Sequence, residues 1–230
     1  NMKRTLFLLA ALPLAGVCGE AVLSMGGALK LESPAVEVQG CLYTAGWKKS
    51  VSGGGTGAPD AKGVCAFDLA ASAKEKVAGR VAVAQAEGGA VRAEYTFTPQ
   101  TDMTLNGLFV NFRLPAKALA GAAWKADAKT GAFPEKLANT SVFSGRVTRL
   151  EVDVPGPLPG RLVFVFDEPT PVLIQDDRKW GDTFAFRLGN NGERNYAAGV
   201  PLRVAFTLSA HEPLAVAYDR PVTLKADAEW

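Results

Sequence analysis

The side chains of this chain best suited to chemistry are gathered in one run, Asp167-Glu168-Pro169-Thr170-Pro171-Val172-Leu173-Ile174-Gln175-Asp176-Asp177-Arg178-Lys179-Trp180-Gly181-Asp182. Paired carboxylates can hydrolyse a glycosidic bond, one as acid and the other as nucleophile or base, when held about 5 to 10 Å apart across a cleft. Asp176, Asp177 and Asp182 are the acids such a hydrolase or lyase would use. Adjacent acids on one turn point apart, however. The simpler expectation is that Asp176 and Asp177 shape the turn through side-chain to backbone hydrogen bonds, while Arg178 pairs with a nearby carboxylate. The run also lacks the regular spacing of a calcium loop. Trp180 offers different chemistry, because an exposed indole stacks on the apolar face of a sugar ring. Arg178, Asp176, Asp177 and Asp182 around it could hydrogen-bond sugar hydroxyls, and Trp47 and Trp124 also stand among small or polar residues. Alternatively, Trp180 covers the hairpin leading to Phe184 and Phe186.

Elsewhere the chemistry is sparse. His211 is the single histidine, which removes most histidine-based hydrolytic and metal chemistries. No G-x-S-x-G, H-E-x-x-H, phosphate-binding loop or dinucleotide fingerprint is present. His211 reads as a loop or strand-end residue, and no catalytic residue, metal ligand or cofactor is assigned. Asn139-Thr140-Ser141 matches a glycosylation sequon, a three-residue pattern frequent by chance. Cys41 and Cys65 enclose a loop of about 25 residues whose bridging would stabilise by about 3 kcal/mol in an oxidising compartment. A disulfide between them is expected; two separate buried thiols are the alternative.

The compartment is read from the start of the chain. Lys3 and Arg4 precede the apolar run Leu6 to Leu12 and then small residues, the pattern of a secretory signal peptide, too short to span a membrane. Residues 1–20 are expected to be that signal, with cleavage after Gly19 or Ala21, and the protein to be secreted or periplasmic in a bacterium. Cys18 after the apolar run raises a lipid anchor, although Val17 fits that signal poorly. The 230 residues carry 25 Lys+Arg against 23 Asp+Glu, a formal charge of +2. Such balance excludes a strongly basic nucleic-acid binder and suits a neutral glycan or a protein neighbour better than a polyanion.

The elements that must hold these residues are strands. Val91, Ala93, Tyr95 and Phe97 alternate with polar residues, as do Leu150, Val152 and Val154, then Phe184, Phe186 and Leu188, then Leu202, Val204, Phe206 and Leu208, then Val222, Leu224 and Ala226. Leu162 to Phe166 is apolar on both faces and is expected to lie centrally, covered on both sides. Turn signals stand at Pro99 to Asp102, Pro155 to Gly160, Gly189 to Gly192 and Glu212-Pro213, and Val51 to Gly63 reads as a surface loop. Only Ser72 to Val77 and Ala116 to Ala123 suit short helices. The expected fold is all-β: an antiparallel β-sandwich of many short strands with one or two short helices, forming one domain over residues 21–230.

Three segments carry a resemblance. Phe97 to Leu108, Asn139 to Gly145, and Glu168 to Gly189 resemble the β-sandwich region that precedes the catalytic barrel in certain secreted bacterial glycoside hydrolases, a region similar to the galactose-mutarotase-like supersandwich. The similarity runs from about Leu31 to Trp230. It implies a non-catalytic accessory module associated with polysaccharide degradation, packing on a catalytic domain or binding carbohydrate, with the acid and nucleophile in a barrel after Trp230. The chain departs from such enzymes in having no barrel, so no catalytic residue is carried over. The alternatives from other classes are a small carboxylate-dependent hydrolase or lyase and a cell-surface structural or adhesion lipoprotein.

Overall fold

The computed structural model describes residues 19–32, 34–55, 57–155 and 160–220. Residues 1–18 of the expected signal segment, Cys18 among them, lie outside the described residues, as do Val222 to Ala226 and Trp230, whereas Gly19 and Glu20 of that segment form the start of a strand. Fifteen strands make up most of the described residues. The first five are β1 (Gly19–Leu23), β2 (Leu29–Glu32), β3 (Ala35–Thr44), β4 (Ser50–Ser52) and β5 (Val64–Ala70). Then come β6 (Lys76–Gln85), β7 (Val91–Pro99), β8 (Met103–Pro115), β9 (Ala123–Ala126) and β10 (Lys129–Ala132). The last are β11 (Ser141–Val154), β12 (Gly160–Asp176), β13 (Thr183–Tyr196), β14 (Leu202–Ser209) and β15 (Leu214–Tyr218). One α-helical turn, α1 (Ala116–Leu119), follows β8. The Ser72 to Val77 segment is not helical: it bends and enters β6. Among the described residues no helix is long and apolar enough to cross a membrane.

The strands join in the order β15-β1-β2-β3-β8-β13-β12-β14-β7-β6-β5, with β4 beside β3 and β11, β9 and β10 extending from β12. Every named pair is antiparallel except β1 with β15. The fold is therefore all-β, and the sheet curls so that strands far apart in this order face each other. Tyr95 of β7 shows the closure: its hydroxyl donates to the Val38 carbonyl of β3 at 3.0 Å, with the Gly27 carbonyl 3.2 Å away. Of the two cleavage positions, the one after Ala21 would remove Gly19 to Ala21, which pair with Leu214 to Val216 of β15.

The alternation in β7 behaves as its pattern demands, with Val91, Ala93, Tyr95 and Phe97 all fully buried. Two strands depart from expectation. Strand β12 is central in pairing, contacting β11, β13 and β14, but it is not covered on both faces, since Val165 is 40% exposed. Its neighbour on one side changes from β14 at Phe166 to β13 at Val172. Pro169 and Pro171 lie between, and without N–H groups they cannot serve a ladder there. The Gly189 to Gly192 signal marks no hairpin but an irregularity inside β13, where pairing with β8 shifts between Asn191 and Arg194. Gly189 and Gly192 adopt φ of 133° and 106° there, which only glycine takes readily, and the strand continues past them.

The core closes around Phe67 of β5. A Cβ on Gly40 would lie 2.8 Å from this ring, and one on Gly79 only 2.2 Å. Phe112 stacks on Phe186 with centroids 4.4 Å apart and planes nearly parallel, and on Phe164 at 5.1 Å. Gly79→Ala is expected to cost about 1 to 3 kcal/mol by overpacking in urea unfolding. The penalty should shrink in a Phe67→Leu background, because the two sites share one volume. Equal costs in both backgrounds would show that the ring does not set the glycine.

Candidate functional site

The outer face of the sheet is not uniformly solvated. Where β3, β8, β13 and β12 run side by side, Phe109, Asn111, Ala185 and Arg187 are buried although they point away from the core ring cluster. Phe109 pairs with Cys41 and Gly189, and Asn111 with Gln39 and Arg187. A cleft of about 500 Å³ lies over them, lined by Tyr43, Trp47, Arg113, Gln175, Asp177, Trp180 and Arg187.

Two short helical turns raise its rims. Ala45–Trp47 follows β3 and carries Trp47, 47% exposed. The turn is held by the Asn106 side chain of β8, whose Oδ1 accepts from the Gly46 N–H, and is closed by Thr44 and Lys49, whose N–H donates to Thr44 Oγ1 at 3.0 Å. Trp47 itself has φ of 58°, a left-handed conformation costly for a bulky side chain. On the other rim, Asp177–Lys179 follows β12 and leads to Trp180, 65% exposed. The Asp177 carbonyl accepts from the N–H groups of Trp180 and Gly181 at 2.7 and 2.8 Å, which fixes where the indole starts.

The floor is aromatic and charged. The Arg187 guanidinium lies 5.0 Å from the Tyr43 ring, 5.4 Å from Phe109 and 5.5 Å from Trp47. Such cation–π placement offsets part of the cost of burying a charge. Yet Arg187 is only 5% exposed, and its Nε has no hydrogen-bond partner. Asn111 Oδ1 and Asp177 Oδ1 are likewise buried without partners. Asp177 Oδ2 reaches Arg113 Nε at 3.5 Å. Burial pushes the Asp177 carboxyl above the ordinary carboxylate range, against the pull of Arg187 and Arg113. Three buried polar atoms without partners thus gather beneath one walled cleft.

The residues singled out in the sequence divide. Trp180 and Asp177 line the cleft. Asp176 points the other way: it is fully buried and accepts from Arg178 Nε at 2.9 Å, Arg178 Nη2 at 2.6 Å and the Arg178 N–H at 3.2 Å. Arg178 in turn donates to the carbonyls of Pro134 and Glu135 and lies over the Phe184 ring. This pair staples the turn to the 134–135 loop and is not part of the cleft lining. Asp182 is exposed and outside that lining; its carbonyl accepts from Ala116 N–H. Trp124 is a core residue, packed on Phe143 at 5.2 Å. His211 is exposed in the turn between β14 and β15. Trp47, named beside Trp180 as an indole among small and polar residues, stands on the rim, whereas Tyr43, Arg113, Gln175 and Arg187 carried no signal in the sequence as site residues.

The expected bridge is also corrected, since Cys41 and Cys65 are both free and buried. They occupy opposite faces. Cys65 shares its face of β5 with Phe67, and its Sγ donates to the Gly57 carbonyl at 3.1 Å. In β3 the residue facing Phe67 is Gly40, so its neighbour Cys41 points outward, toward Ser52 and the two cleft arginines. Burial pushes the Cys41 thiol up to about 11. Among the described residues no three His, Cys, Asp or Glu side chains assemble as a metal-binding group. No protein-family model matches the chain, and no curated protein matches it.

Two outcomes are expected. With Cys18 replaced by serine, denaturation and alkylation without reductant should add two labels; no label would restore the bridge. Asp176→Ala should cost about 3 kcal/mol or more at neutral pH, because it strands a largely buried guanidinium. Arg178 holds the Asp176 carboxyl below its ordinary range. The pair therefore stabilises fully above the unfolded-state value of about 4 and loses that contribution as pH falls through the lower folded-state value. Acid titration of stability should be flatter in Asp176→Asn than in the parent protein.

Proposed function

We propose that this protein is a secreted, non-catalytic β-sandwich module that binds carbohydrate through the outer-face cleft, in the service of polysaccharide degradation. The observation that carries the reading is the placement of two exposed indoles, Trp47 and Trp180, on opposite short turns of one cleft whose floor holds unpaired polar atoms. Sugars present an apolar ring face and a rim of hydroxyls. Aromatic walls take the first, and Gln175, Asp177 and Arg113 offer donors and acceptors for the second.

Binding is favoured over hydrolysis because the cleft lining contains one carboxylate, Asp177, where carboxylate-driven glycoside hydrolysis uses two. The resemblance to the region preceding glycoside hydrolase barrels supports the same context, and the signal-like pattern of residues 1–20 agrees with a module acting outside the cytoplasm.

Isothermal titration against plant and algal polysaccharides tests the reading. At least one should give heat, and Trp180→Ala and Trp47→Ala should each weaken it by about tenfold or more, as expected for loss of a stacking platform. No heat with any glycan would leave only a packing role beside a catalytic domain. Release of reducing ends by the purified chain, abolished by Asp177→Asn, would establish the hydrolase instead.

A further inference from the structure

The cleft has an excess of positive charge at its base. Three charged side chains line it: Arg113, Arg187 and Asp177. Asp177 Oδ2 is 3.5 Å from Arg113 Nε and the same carboxylate also faces Arg187, so two guanidiniums share one acid and the lining keeps one positive charge in excess. No carboxylate among the described residues lies within ion-pair distance of Arg187, which is more than nine-tenths buried, enclosed by Tyr43, Phe109 and Trp47, and has an orphaned Nε. A guanidinium in that position costs stability unless something repays it when the site fills. Hydroxyls alone are weak repayment. A carboxylate matches the planar fork in charge and geometry.

We propose that the cleft selects an acidic sugar, a uronic acid residue of a polysaccharide, whose carboxylate pairs with Arg187 while its ring lies against Trp47 or Trp180. The inference rests on the glycan-binding reading of the same site. The chain-wide charge balance is no objection, because recognition of one carboxylate is set by the local field inside the cleft. A carboxylate is preferred over a sulfate ester because it is smaller and its two oxygens lie in one plane, matching the planar fork of a single enclosed guanidinium.

The test compares oligosaccharides of galacturonan, glucuronan and alginate with the same compounds after their carboxyl groups have been reduced to primary alcohols. At least one acidic series should bind the unaltered protein, and carboxyl reduction should weaken it by about tenfold or more. This comparison needs no variant and so cannot be confused with misfolding. Arg187→Met, checked for folding by its circular dichroism and melting temperature, should bind acidic and reduced forms alike. Arg187→Lys should not restore the preference, since a lysine lacks the planar fork. Equal affinity for acidic and reduced forms, with Trp180→Ala weakening both, would remove the acidic preference and keep the glycan site. Tighter binding of a sulfated neutral galactan than of any uronate would also overturn the proposal. Failure of every acidic and neutral glycan would remove both readings together.

Discussion

The curl of the sheet depends on how closely distant strands approach at Phe67. This ring occupies volume that Gly27, Gly40 and Gly79 leave empty by having no Cβ, from three separate stretches of chain. The approach brings β3 against β5 and lets the Tyr95 hydroxyl find carbonyl partners across the core. A buried phenol would otherwise be a liability. Close packing of this kind fixes the curvature of β3 and β8. It also fixes where the outward side chains of those strands converge, so an inner-face contact sets the geometry of the outer-face cleft.

That outer face carries a second, smaller set of packed aromatics with a charge among them. Tyr43, Phe109 and Trp47 enclose Arg187 much as an interior would enclose a leucine, yet the guanidinium remains charged. Interiors accept such groups when they are fully paired, and this one is not. The Asp176–Arg178 pair a few residues from the cleft shows the opposite case. There the carboxylate and the guanidinium satisfy each other and two backbone carbonyls, and the result is a rigid turn. One ion pair builds the rim, while one unpaired ion gives the cleft its chemistry.

Much of the fold was legible because alternation in β7, β11, β13 and β14 translates directly into a buried face. The turn at Asp176-Asp177 was legible for a similar reason, since short acids cap their own backbone. What stayed hidden depends on tertiary neighbours. Arg187 occupies a position that alternation assigns to water, and only the pairing of β13 with β8 places it beside Asn111 and near Phe109. The one local hint was Leu108-Phe109-Val110, apolar on both faces, which made β8 the doubly covered strand. Leu162 to Phe166 showed the same pattern, but its outer face stayed open at Val165. Cysteine spacing misled because loop length says nothing about which face of a strand a thiol occupies. Trp124 misled because small neighbours can mean close packing as well as exposure; Gly131 is small so that the indole can lie on it.

The parallel pairing of β1 with β15 links residues near the two ends of the described chain. Closing so long a loop is entropically costly, and contacts of this range form late. Among the described strands, the first therefore waits for the last. Until then, β1 lacks one flank and the sheet keeps an open edge. A chain that stops short of Leu214 would therefore leave the β1 edge unpaired, whatever the rest of the sheet has done.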